Sequence, residues 1–160
     1  MADHLAVMNE GRIIQVGSPE EVYARPANLF CARFIGNAGT VSGTVRSVEK
    51  GRVYVETPVG MLGALPGPEP LKAGDAATLA LRPEILHAAS PGEQNAFPAE
   101  IVSRMYLGEM VQYQLRSGSV ELMATALAGG ELTAREGEKV RLAFHPDHAI
   151  AFASEGGQVE

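Results

Sequence analysis

One run of residues occurs twice in this chain of 160 residues. It reads Gly, acid, then Leu, Ala, a large apolar residue, a basic-type residue, Pro and acid. The first copy is Gly74-Asp75 followed by Leu79-Ala80-Leu81-Arg82-Pro83-Glu84. The second is Gly137-Glu138 followed by Leu142-Ala143-Phe144-His145-Pro146-Asp147, 63 positions later. A duplication this specific predicts a chain built from two related halves. A fainter echo, Val45-Arg46-Ser47 against Ile101-Val102-Ser103, carries the repeat upstream. Proline has no N–H to donate to a ladder, so Pro83 and Pro146 should each end a strand. The acid after each Pro is placed to cap the turn that follows. Residues 71–88 and 134–151 are therefore expected to share a strand-plus-turn form within one barrel.

The surrounding pattern agrees with a mainly β fold. Short Val- and Leu-rich runs alternate with Gly, Pro, Asn and Asp at 41–48, 52–57, 60–65, 76–82, 99–106, 110–116, 119–125 and 138–144. Strands at that spacing suit a small barrel or sandwich. Residues 66–70 and 90–95 read as loops, and 155–160 as a disordered tail. The first 36 residues differ. Two apolar runs, 4–8 and 12–16, flank Asn9-Glu10-Gly11, which predicts a β-hairpin. Ser18-Pro19-Glu20-Glu21 then carries the marks of a helix start: a Ser cap, Pro at the first helical position and Glu three residues after the cap. Pro26 should end that helix. In the second helical segment Leu29, Phe30, Phe34 and Ile35 fall near one stripe, with Gly36 as its C-terminal cap.

Charge narrows the function. Lys and Arg number 13 against 19 Asp and Glu, for a net charge of −6. Phosphate binding needs a basic face, and here the basic residues are scattered singly, so no nucleic-acid partner is expected. Aromatic residues make up 6% with no Trp, too few for a base-stacking platform. No apolar run approaches the 18 or so residues of a membrane helix. The start MADHLAVMNEGR lacks the basic region and long apolar run of a signal peptide. The single Cys31 fits a reducing, cytoplasmic setting.

Residues 3–36, DHLAVMNEGRIIQVGSPEEVYARPANLFCARFIG, resemble the last stretch of the ATPase domain in the ATP-binding subunits of bacterial ABC importers. The pattern shared is a hairpin with AVMNxGxIxQxGxPxExY, followed by RPAxxFxAxFIG. Residues 40–153 resemble the TOBE-type regulatory domain of the maltose, polyamine and ferric-iron branch, through Gly43-Thr44-Val45, Leu81-Arg82-Pro83-Glu84, Tyr106-Leu107-Gly108-Glu109 and Val140-Arg141-Leu142. The resemblance implies an OB-like β-barrel built from two related halves, preceded by a short hairpin and two short helices. It divides the chain into an ATPase-domain remnant over 1–36, a regulatory barrel over 37–154 and a tail over 155–160. It also implies a C-terminal piece, cut inside the ATPase domain, of a longer transport ATPase. That parent would use ATP and Mg²⁺ and work with a second ATPase subunit and membrane permease subunits. It would lie on the cytoplasmic face of the plasma membrane. The stretch after Gly36, NAGTVSGTV, leans toward polyamine or ferric-iron importers.

The fragment itself is expected to be neither an enzyme nor a cofactor binder. It has no GxxxxGK[ST] loop to cradle phosphates and no apolar run ending in paired acids for Mg²⁺. Ser154-Glu155-Gly156-Gly157-Gln158 imitates the SGGQ signature of ABC ATPases. The signature opens a helix at the γ-phosphate, whereas only Val159 and Glu160 follow here. His145-Pro146-Asp147-His148 is read as a turn rather than a metal site, and Cys31 as core.

The candidate interface or anion contacts are Arg82, Glu84, Ser103, Arg104 and Tyr106. The first reading of the barrel is a regulatory and dimerisation module; the alternative is a free-standing barrel that binds a small oxyanion. With the ATPase core absent, Leu5, Val7, Ile13, Ile14, Val16, Phe30, Phe34 and Ile35 should be left partly uncovered. The remnant should then fold back on the barrel or pair with its copy in a homodimer.

Overall fold

A computed structural model describes residues 2–154. The expectations for 155–160, including the imitation of the ATPase signature, lie outside the described residues. The fold opens with the predicted hairpin, β1 (Leu5–Asn9) and β2 (Arg12–Gly17). Helix α1 (Pro19–Ala24) begins with the full capping box: the Glu21 N–H donates to Ser18 Oγ at 3.2 Å, and the Ser18 N–H to Glu21 Oε2 at 3.0 Å. Helix α2 (Leu29–Gly36) is capped by the Asn28 side chain and ends at Asn37, whose φ of 49° takes the left-handed turn. The stop thus belongs to Asn37 rather than to Gly36, which remains helical. Cys31 is buried, as a core residue.

The rest is two copies of one plan. The first half runs β3 (Gly39–Glu49), β4 (Arg52–Thr57), β5 (Gly60–Pro66), β6 (Ala76–Leu81), a 3-10 turn (Pro83–Ile85) and β7 (His87–Ala88). The second runs β8 (Phe97–Leu107), β9 (Met110–Ser117), β10 (Val120–Leu127), β11 (Lys139–Ala143), a 3-10 turn (Pro146–His148) and β12 (Ile150–Ala153). Pairing matches copy for copy: β3 with β4 and β6, β4 with β5; β8 with β9 and β11, β9 with β10. Even the bulges agree, between Val45 and Ser47 and between Ile101 and Ser103.

The duplicated Gly-acid pairs serve these bulges. Gly74 and Gly137 take positive φ, of 93° and 83°, where L side chains are strained. The Gly74 N–H donates to Val45 O, and the Gly137 N–H to Ile101 O, both at 2.8 Å. Each acid closes the turn before it: the Lys72 N–H donates to Asp75 Oδ2 at 2.9 Å, and the Arg135 N–H to Glu138 Oε2 at 2.8 Å.

Two expectations are corrected here. The halves do not share a single barrel. Strands β12, β5, β4, β3 and β6 form a closed barrel, while β10, β9, β8, β11 and β7 form a second five-stranded sheet. The pieces after the prolines cross over, so that β12 joins the first half's barrel and β7 the second half's sheet. Nor do the acids after the prolines cap the turns. In the second turn His145 Nδ1 accepts from the Asp147 N–H at 3.2 Å, and Asp147 instead pairs with Arg52 at 2.9 Å. In the first, Arg82 offers no side-chain cap.

One core spans both sheets, with Leu62, Leu79, Phe97, Ile101, Leu115, Leu142 and Phe144 almost fully buried. Across the seam between the halves, Asn95 acts as a strand in miniature. The Gly63 N–H donates to Asn95 Oδ1 at 2.7 Å, and Asn95 Nδ2 donates to Gly63 O at 2.8 Å. Asn95 is itself buried and sits at φ 59°. An unpaired buried polar group costs about 1–3 kcal/mol. Asn95→Gly keeps the backbone shape but strands two groups, so urea unfolding should show a loss of about 2–4 kcal/mol. Asn95→Ala should lose about 1 kcal/mol more through left-handed strain. Wild-type stability in both variants would show that the amide is dispensable.

Candidate functional site

A hydrogen bond and a cation–π contact join residues 1–36 to the barrel. Arg82 stands where β6 gives way to its 3-10 turn, which aims its side chain out of the barrel at the two helices. Its Nη1 donates to Tyr23 O, near the end of α1, at 3.0 Å. Its guanidinium lies over the Tyr23 ring, 4.3 Å from the centroid. A cation suits both partners: the carbonyls at a helix end are electronegative, and so is an aromatic face. Burial pulls the Arg82 pKa below its ordinary value, yet arginine stays charged in proteins.

The aliphatic part of Arg82 passes against Gly36. A Cβ built there would meet Arg82 Cδ at 3.0 Å. Below it Ala32 packs with Ala38, Ala80 and Phe152, backed by Leu29 and Ile150. Only about 10 Å³ of space remains between Tyr23, Cys31, Arg82 and His148, too little for any ligand beyond a water. The junction is therefore a contact rather than a binding cleft.

The hairpin and helices carry a small core of their own, Val7, Val22 and Cys31, flanked by Leu5, Ile14, Phe30 and Ile35. Val7 is thus covered rather than bare. Ile13, Val16 and Phe34 remain exposed, at 62%, 59% and 66%. The Phe30 and Phe34 rings stack at 5.7 Å on an open groove that also includes Leu29, Arg33 and Asn37.

The five candidate contacts fall into separate places. Arg82 is engaged with Tyr23, while Glu84 is exposed in the following turn. Ser103, Arg104 and Tyr106 lie on β8. Ser103 Oγ donates to Gln114 Oε1 at 2.9 Å, and the Arg104 guanidinium lies 5.7 Å from the Tyr106 ring centroid. Among the described residues no hydrogen bond, ion pair or ring contact joins the two groups, so they do not converge as donors around one anion. His145 and His148 stand with ring centroids 5.3 Å apart. Among the described residues no three His, Cys, Asp or Glu side chains gather as metal ligands. Tyr23 and Asn95 escaped the sequence reading, and Gly36 was read there only as a cap, because nothing local to them shows which distant residue they meet.

Comparison with known proteins places this architecture. Residues 79–152 match the TOBE domain. The chain is 36% identical over 156 residues to the spermidine/putrescine import ATP-binding protein PotA of Rubrobacter xylanophilus, covering 96% of this chain and 39% of that protein. It is 35% identical over 161 residues to the sn-glycerol-3-phosphate import ATP-binding protein UgpC of Chromohalobacter salexigens, covering 99% of this chain and 42% of that protein. The chain thus spans about two fifths of the length of these relatives. Among solved structures the cytoplasmic molybdate-binding protein ModG shares the fold, with a TM-score of 0.61 at 15% identity over 72% of this chain and 95% of that one.

If Arg82 fastens the helices to the barrel, Arg82→Ala should release α1 and α2 without opening the barrel. A lost cation–π contact and charged hydrogen bond together amount to about 2 kcal/mol, or roughly thirtyfold. Hydrogen exchange of amides in 19–36 should accelerate by roughly that factor, with β3 to β6 unchanged. Arg82→Lys, which keeps the charge but loses the planar stack, should fall between. Equal acceleration throughout the chain would show Arg82 to be a general stabiliser instead.

Proposed function

This chain belongs with the TOBE-bearing ATP-binding subunits of bacterial ABC importers, and from that membership we propose that it is their regulatory and dimerisation part. Residues 1–36 are the closing stretch of the ATPase domain, and 37–154 form the regulatory domain, its barrel and second sheet together. The observation that carries this reading is the docking of the hairpin–helix segment on the barrel through Arg82 and the Ala32–Ala80–Phe152 cluster. A barrel fixed in this way to the end of an ATPase domain can hold two such domains near each other while their nucleotide faces part and rejoin. The second domain then sees its partner at a high effective concentration.

The complete subunit would hydrolyse ATP with Mg²⁺ to drive uptake of a solute. It would sit at the cytoplasmic face of the membrane against permease subunits. Polyamines are the favoured cargo class, since relatives named for spermidine and putrescine match so much of the chain. The phosphate loop and magnesium ligands are not among these residues, so the chain alone neither binds nor hydrolyses ATP.

Two measurements test the reading. Isothermal titration with Mg-ATP should give no saturable heat, and a micromolar dissociation constant would overturn the assignment of catalysis to other residues. Replacing the matching region of the Rubrobacter relative by this chain should preserve spermidine uptake in cells dependent on that subunit. A chimera that assembles and hydrolyses ATP but imports nothing would sink the proposal.

A further inference from the structure

The two proline turns hold equivalent places in the repeat but are fastened differently. Position 82 of the first half corresponds to position 145 of the second, and 84 to 147. The first turn has Arg82 and Glu84. A guanidinium has no acceptor atom, so Arg82 gives no side-chain cap, and Glu84 is exposed. The second turn has His145 and Asp147, and both are engaged. His145 Nδ1 accepts from the Asp147 N–H at 3.2 Å. Arg52 Nε donates to Asp147 Oδ1 at 3.0 Å, and Arg52 Nη2 lies 2.9 Å from the same oxygen. Arg52 belongs to β4 of the first half, so this pair ties the second crossing turn to the barrel wall. The first turn keeps the same 3-10 form with neither bond. The form of the turn therefore does not depend on them.

The chemistry of the ring makes these bonds conditional. An imidazole nitrogen accepts a hydrogen bond only while it carries no proton. Nδ1 thus holds the Asp147 N–H only in the neutral ring with its proton on Nε2. The other carboxylate oxygen, Asp147 Oδ2, stands 3.9 Å from the same Nδ1. A protonated Nδ1 becomes a donor that faces a carboxylate: it gives up the N–H and gains an anion. The His145 and Asp147 side chains are 55% and 48% exposed. Bonds at such positions contribute little to stability, so one proton suffices to choose between the two arrangements.

Few other charges face the turn. From β4 come Arg52 and Tyr54, close enough to Arg52 to perturb it, and from β3 comes Glu49, opposite Arg52. Strand β5, packed against the turn, and β12, which follows it, carry no ionisable side chain. The His148 ring lies 5.3 Å from that of His145. Beyond it, Arg82 shares with His148 the small space beneath the helices.

We propose that His145 is a proton-operated switch at the second crossing turn. With the ring neutral, Nδ1 holds the Asp147 N–H and the carboxylate is left to Arg52. When a proton from solvent settles on Nδ1, the N–H is released and the carboxylate swings toward the ring. Asp147 then exchanges a partner in the first half for one in its own turn. The tie between the turn and β4 loosens in acid and re-forms when the proton returns to solvent. Nothing in the switch depends on the importer role, since every group in it belongs to this chain.

Nuclear magnetic resonance of the isotope-labelled chain between about pH 8 and pH 5, where an imidazole ordinarily takes up its proton, tests this. After correction for intrinsic exchange, protection of the Asp147 amide should fall about fivefold toward the acid end, the value of one hydrogen bond. The Arg52 Nε–H should lose protection with the same midpoint. His145→Asn supplies an oxygen that accepts at a cap but takes no proton, and should hold both signals constant. Asp147→Asn should leave the amide of residue 147 responsive to pH and the Arg52 signal unprotected throughout. His148→Gln should change neither response. A wild type with no pH response, or a response that survives in His145→Asn, would overturn the proposal. So would a response lost in His148→Gln, which would put the proton on the other ring, or an Arg52 signal that stays protected after the amide is released. Mg-ATP binding, or an inactive chimera, counts against the importer reading and leaves this result standing.

Discussion

After each proline turn the chain leaves its own half and pairs with the other: β7 lies beside β11, and β12 beside β6. The barrel closes only because β12 also runs parallel to β5, with Ile150 opposite Leu65. Neither half therefore completes its sheet alone. The exchange brings the first turn under β10 and the second under β5, so one core serves both sheets. It also sets the direction of Arg82, which leaves β6 at the crossing point and faces the helices. The lock on residues 1–36 and the Asn95 seam both presuppose it.

Much of this plan was legible because duplication writes itself into spacing. The Gly-acid pair and the Pro-acid pair recur at one offset because each copy needs the same left-handed turn, the same bulge support and the same end of strand. The crossing was not legible. His87–Ala88 and Ile150–Ala153 are too short to carry a pattern of their own, and a strand's sequence does not state which neighbour it will choose. The duplication read as two halves of one barrel for that reason. The acids after the prolines were misread as caps because a carboxylate beside a turn looks the same whether it bonds the turn or, like Asp147, a distant arginine.

The sites were less legible than the fold. An arginine before a proline gives no sign of pointing at an aromatic ring many residues earlier, so Arg82 read as an interface or anion contact with no partner named. Phe34 fell on an apolar stripe by spacing, but Cys31 and Ala32 take the buried side of that short helix. His145 read as a turn residue. The one available signal of more was the repeat, in which His145 answers to Arg82.

The crossing also sets an order for synthesis. Of the barrel's five strands, β12 emerges from the ribosome only after the whole second half has been made. Until then β5 and β6 stand with unpaired edges on either side of a gap. Exposed edges are what chains aggregate through while they wait. The loop closures needed to bring Ile150 back to Ala80 and Leu65 make that final step slow compared with forming either hairpin. A half-made chain of this kind keeps two sheet edges open to wrong pairing until β12 arrives.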